Sequence, residues 1–97
     1  MFIEPNNLQM VLDILKMHVP EYEIWAFGSR VHGKNLKKFS DLDLALVSDK
    51  KIPTDIIYKL KDDFVESYLP FKVDVLDFSD INENFQKIIK ENYEVIQ

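Results

Sequence analysis

The sequence contains no cysteine. Disulfides, thiolate metal sites and a cysteine nucleophile are thereby excluded, and the composition suits a reducing compartment, so a cytoplasmic location is expected. No apolar run approaches the ~20 residues that a membrane span needs. The N-terminus, with Glu4 close to its start, lacks the basic stretch and apolar run of a signal peptide, and none is expected. There is no repeat, low-complexity segment or internal linker. The 2 histidines form neither a Ser-His-Asp set nor a zinc spacing: His18 reads as the end of a helix and His32 as a surface residue of a basic loop. Glycine is nearly absent too. The chain has 2, and both lie in one stretch of seventeen residues, 27–43.

What is present is ordinary for a globular protein: 46% hydrophobic and 30% charged residues in a chain of 97. That length predicts a single domain, residues 1–97, with a thin core. The net charge of −5 does not favour non-specific nucleic-acid binding, and no direct nucleic-acid contact is expected. The cations are unevenly spread, however. Arg30, Lys34, Lys37 and Lys38 fall within nine positions, where the local field suits a small anion better than a long polyanion. On charge alone, a solvated basic loop explains them equally well.

Periodicity predicts the elements. Leu8, Val11, Leu12 and Leu15 mark a helix over 6–18, with Asn6 as its cap. Residues 23–27 read as a strand stopped by Gly28, and Ser29–His32 as a short helix ended by Gly33. Over 41–47 the alternation puts Leu42, Leu44 and Leu46 on one face and Asp41, Asp43, Ala45 and Val47 on the other. A helix is predicted from Pro53, with Ile57, Leu60, Phe64 and Tyr68 buried. A third strand is predicted over 72–77, then a helix capped by Asp80 with Ile81, Phe85, Ile88 and Ile89 as its apolar stripe. The segment 93–97 is too short to assign. The order is an α/β (α+β) one, a small mixed sheet of about three strands packed by helices.

Three features can carry chemistry. Gly28-Ser29 is a strand-to-helix turn: glycine admits a close ligand, and the helix start offers free N–H groups to phosphate. A plain turn with a serine cap reads the same way. Asp41 and Asp43 are spaced i, i+2, so on a strand both carboxylates face one side. The apolar residues around Asp43 argue against a merely solvated acid, because a half-buried carboxylate needs a partner, and magnesium takes oxygen ligands. Asp74 sits in an equally apolar strand and wants a cation for the same reason. If its strand lies beside 41–47, three acids gather. Asp77 points to the opposite face and belongs to the following turn.

Gly28-Ser29-Arg30-x-x-Gly33, then Ser40-Asp41-x-Asp43-Leu44, then Asp74 on a later strand, resembles the DNA polymerase β-like nucleotidyltransferase superfamily, in particular its minimal nucleotidyltransferase (MNT) branch. The likeness covers roughly residues 23–78. It implies the nucleotidyltransferase fold, a nucleoside triphosphate (ATP) as substrate and Mg2+ as cofactor. Gly28 and Ser29 then contact the triphosphate, and Arg30 stands near it. Asp41, Asp43 and Asp74 hold the metal, two ions about 3.5–4 Å apart, and Asp74 helps deprotonate the attacking hydroxyl. The resemblance further implies a small all-helical HEPN-type partner, the pair acting as toxin and antitoxin, with AMP placed on a partner hydroxyl. About twenty residues follow Asp74, so an acceptor-holding domain is expected to be missing. That also leaves open a nucleotide-binding module that neutralises its partner by grip alone. Self-association is compatible with either reading. The base preference, the acceptor and the oligomeric state are not legible.

Overall fold

The computed structural model describes residues 1–97. In chain order the elements are α1 (Pro5–His18), β1 (Glu23–Phe27), α2 (Ser29–His32), β2 (Leu42–Val47), α3 (Thr54–Glu66), β3 (Val73–Asp77), a 3-10 turn (Phe78–Asp80), α4 (Glu83–Glu91) and β4 (Tyr93–Val95). The strands form one mixed sheet in the order β3-β2-β1-β4. β1 runs antiparallel to β2 and to β4, while β2 and β3 are parallel. Their α3 crossover is what a parallel pair requires, since no tight turn can join parallel neighbours.

Strand alternation decides the layering. Leu42, Leu44 and Leu46 of β2 and Ile24 and Ala26 of β1 are fully buried on one face. There they meet Val11, Ile14 and Leu15 of α1 and Leu60 and Phe64 of α3, in a cluster of 14 buried residues. The opposite face is thinner. Phe27, Ala45 and Ile89 of α4 are its 3 buried members, flanked by Trp25, Leu76, Phe78 and Phe85. Tyr93 stacks on Trp25 at 4.2 Å and Phe78 meets Trp25 edge-on at 5.2 Å.

Several expectations are corrected. The sheet has four strands, not about three. β4 is three exposed residues with no alternation to read. It forms because β1 offers it a ladder, extended by Ile96 N–H to Ile24 O (2.9 Å) and Ile24 N–H to Gln97 O (3.1 Å). The Gln97 carboxamide then donates to Val19 O and Tyr22 O. α1 starts at Pro5, with Glu4 rather than Asn6 as N-cap, because the fixed φ of proline favours the first helical position. α4 is capped by Asn82, whose Oδ1 accepts from Phe85 N–H at 2.8 Å. Asp80 lies in the preceding 3-10 turn instead. β2 starts at Leu42, one residue after Asp41, and β3 at Val73. Tyr68 is 94% exposed because α3 stops two residues before it, and Ile88 is 61% exposed. His18 does close α1, and its Nε2 lies 2.7 Å from Asp63 Oδ2.

Candidate active site

The site is assembled where the ends of β1, β2 and β3 meet on the thin face. β1 stops at Gly28, whose φ of 81° is left-handed territory that side chains rarely adopt. Sterics demand glycine there independently: a Cβ would collide with the Asp43 carboxylate, its Cγ only 3.2 Å away. Gly28 thus brings the backbone turn and a carboxylate into contact. Gly28 O accepts from Val31 N–H (2.9 Å) and His32 N–H (3.1 Å), which winds the single turn of α2. Ser29 stands at its first position.

The acids come together through register. Parallel pairing sets Asp43 of β2 directly against Asp74 of β3, and antiparallel pairing sets Phe27 against Asp43. Asp41 lies two residues back, exposed at the head of β2. The crowding shows in Asp43. Burial, then the charge of Asp74, then that of Asp41, push its carboxyl from 3.8 up to about 6. Lys72 Nζ is 3.6 Å from Asp74 Oδ1 at the outer rim. Carboxylates gathered in this way are oxygen donors of the kind that a hard divalent cation such as magnesium takes. They are not drawn into a preformed cage: no group of three acidic or histidine side chains has the spacing to hold one ion.

Arg30 is engaged with backbone carbonyls of its own chain. It is 6% exposed, and Asp41 is near enough for its charge to act on the guanidinium. Its Nε donates to Ser40 O (2.7 Å), and its terminal nitrogens donate to Phe2 O (3.0 Å) and Lys38 O (3.3 Å). The guanidinium lies 4.1 Å from the centre of the Phe71 ring. Burial draws its pKa below the ordinary value, with Asp41 opposing. In this geometry Arg30 ties the loop of residues 34–40 and the N-terminal segment to α2, and its donors are spent on carbonyls. Asp77 is likewise structural: it is buried and accepts from Ile52 N–H (2.8 Å) and Ser79 N–H (3.0 Å).

A cleft of about 500 Å³ opens beside the acids. Gly28, Asp43 and Asp74 line its sheet side, and α4 lies across from them with Phe85, Ile88 and, just past its end, Asn92. His32, an exposed residue, also lines it. Its Nδ1 accepts from Lys34 N–H at 3.0 Å, which leaves the proton of the neutral ring on Nε2, free to donate. The contribution of α4 was hidden because Phe85 and Ile88 read as core. A larger cavity of about 690 Å³ lies behind the loop of residues 34–40 and contains none of the three acids.

Comparison with known proteins adds to this geometry. Residues 8–96 match the family model described as "Nucleotidyltransferase domain". The chain is 47% identical over 95 residues to "Probable protein adenylyltransferase MntA" of Haemophilus influenzae, a match that covers 98% of this chain and 82% of that protein. In structure it is similar to a chain of a toxin–antitoxin crystallised with AMP-PNP (TM-score 0.73, 20% identity, 94% of this chain and 73% of that one). It is also similar to a chain of a tri-AMPylated Shewanella oneidensis HEPN toxin in complex with MNT antitoxin (TM-score 0.70, 17% identity, 98% and 72%). At these identities the two structures speak for the fold.

Proposed function

Since this chain belongs to the nucleotidyltransferase domain family, we propose that it transfers AMP from ATP to a hydroxyl of a small helical HEPN-type protein, and that it is the antitoxin of that pair. The observation that carries this reading is the in-register pairing of Asp43 with Asp74, with Gly28 packed against the Asp43 carboxylate. Supporting it are the relative named a protein adenylyltransferase and the neighbours named as toxin–antitoxin complexes.

In this reading the acceptor oxygen attacks the α-phosphorus in line. The bond from that phosphorus to the bridging oxygen breaks, and pyrophosphate leaves. Gly28 and the first turn of α2 hold the leaving phosphates with backbone N–H groups, and Ser29 adds a hydroxyl donor. Asp74, at the β3 end of the site, receives the acceptor's proton. Asp41, Asp43 and Asp74 are the residues that would hold Mg2+, as two ions. Bound there, the metal supplies positive charge against the phosphate oxygens and the leaving group. The acids alone repel a triphosphate, so nucleotide binding by the chain requires a divalent cation.

The test incubates the full chain with α-labelled ATP, magnesium and its HEPN-type partner. Label on the partner that vanishes with Asp43→Asn supports transfer. Unchanged labelling in that variant overturns the site. A stable complex with no label in the wild type favours the second reading, neutralisation by grip alone, for which the partner-bound neighbours are the supporting observation.

A further inference from the structure

The cleft has a half that the phosphates and acids do not use. Continuing the β1–β4 register past Phe27 and Tyr93 brings Asn92 across from Gly28. Asn92 is held on both sides. Its N–H donates to Ile89 O at 3.1 Å, and the next residue, Tyr93, is stacked on Trp25. Ile89 is 1% exposed and anchors α4 against the sheet, whereas Ile88, one position away, is 61% exposed over the cleft. Phe85 and Ile88 fall at i and i+3 on one face of α4, and Asn92, the non-helical residue that follows the helix, lines the same cleft. That wall is hydrocarbon with one exposed carboxamide at its end and carries no charge, which suits a flat heteroaromatic ring better than another phosphate.

We infer that the cleft wall formed by Phe85 and Ile88 of α4 and by Asn92 just past its end is the nucleobase subsite, with Asn92 reading the base edge and favouring adenine. The inference rests on the transfer reading above. The ring packs on Ile88 and Phe85 while its phosphates reach Gly28. A carboxamide offers one donor and one acceptor, which match a ring nitrogen and the 6-amino group of adenine. The N7/O6 edge of guanine presents two acceptors and leaves the Asn92 carbonyl opposed by an oxygen. Its N1–H and 2-amino group, in contrast, are two donors that fit a carboxylate.

The experiment measures magnesium-dependent binding of ATP, GTP and inorganic tripolyphosphate to the full chain. Wild type is expected to bind ATP at least about tenfold more tightly than tripolyphosphate, and more tightly than GTP. Ile88→Ala weakens ATP several-fold and leaves tripolyphosphate unchanged. Asn92→Asp moves the ATP:GTP ratio about tenfold or more toward GTP, the scale of one bidentate base contact. Both side chains are exposed, so neither change threatens the fold. A wild type that transfers AMP while both variants keep wild-type ATP:GTP and ATP:tripolyphosphate ratios overturns the subsite and leaves the transfer reading standing. A wild type that binds neither ATP nor tripolyphosphate overturns both.

Discussion

The two faces of the sheet differ in what they ask of the same strands. On one face, Leu42, Leu44 and Leu46 disappear into 14 buried residues under α1 and α3. On the other, the alternate positions of β2 are Asp43, Ala45 and Val47, and the buried cluster has 3 members. One face makes the fold, and the thin face spends its burial on crowding carboxylates. Asp43 is raised to about 6 there, which a metal-free chain tolerates because the thick face supplies the stability. A second contrast is between the charge on α2 and the charges on β2 and β3. Arg30 is buried with each guanidinium nitrogen hydrogen-bonded to a carbonyl, whereas Asp43 of β2 and Asp74 of β3 face each other with Lys72 at the rim, paired to Asp74. A buried charge with its hydrogen bonds made is structural, and a half-buried charge without them is poised for a ligand.

The largest expected effect comes from breaking the thin face alone. Asp43→Asn should lower AMP transfer by about a thousandfold or more, roughly 4 kcal/mol of barrier, while the circular dichroism spectrum stays that of the wild type. A single-turnover rate within tenfold of wild type would remove Asp43 from the site. Next is the thick face: Leu44→Ala should cost about 2–5 kcal/mol in urea unfolding. The control on the other face, Ile88→Ala, should stay within about 0.5 kcal/mol. Equal losses would show that the two faces share one core.

Arg30→Lys sharpens the second contrast. Lysine cannot reproduce the fork that meets three carbonyls, so stability should fall by about 1–3 kcal/mol. Tripolyphosphate affinity at a temperature where the variant is folded should not change. An unchanged melting temperature with weakened tripolyphosphate binding would return Arg30 to the phosphates.

The smallest effect is a pH dependence. The Asp43 carboxyl ionises at about 6 in the folded chain against 3.8 for an ordinary aspartate. Below 3.8 it is protonated folded and unfolded, and it costs nothing. Between 3.8 and about 6 the unfolded chain ionises first, so stability falls as pH rises through this window, and the penalty is complete above it. In chelator, Asp43→Asn should therefore melt a few degrees above wild type at neutral pH, about what 1 kcal/mol is worth in a domain of this size. Below pH 3.8 the two should melt together. A gain that persists at acid pH would assign the stabilisation to packing instead.

Much of the site was legible because its signals are local. The alternation through Leu42, Leu44 and Leu46 revealed which side Asp43 would take, and Gly28-Ser29 announced a turn into a helix. Asp74 could be suspected from its apolar neighbours, yet its place opposite Asp43 depends on the β2–β3 register, which no spacing states. For Arg30, adjacency to Ser29 in sequence suggests adjacency to phosphate, whereas its contacts with Ser40 O and Phe71 are set by tertiary structure and no spacing states them. Ile88 and Asn92 gave no usable signal. An isoleucine in an apolar stripe looks the same whether it faces a core or a cleft, and Asn92 stood outside every period.

From residue order alone come the features that neighbours in the chain impose on one another: the helices, three of the four strands, the faces that alternation assigns and the glycine turn. Tertiary structure alone decided that β4 exists, that Asp43 and Asp74 meet, that Arg30 serves the loop and that α4 walls the cleft. The reason is physical. Periodicity and turn chemistry are set by steric limits within a few residues, whereas strand partners and cleft walls are chosen by the total burial and hydrogen bonding of segments far apart in the chain.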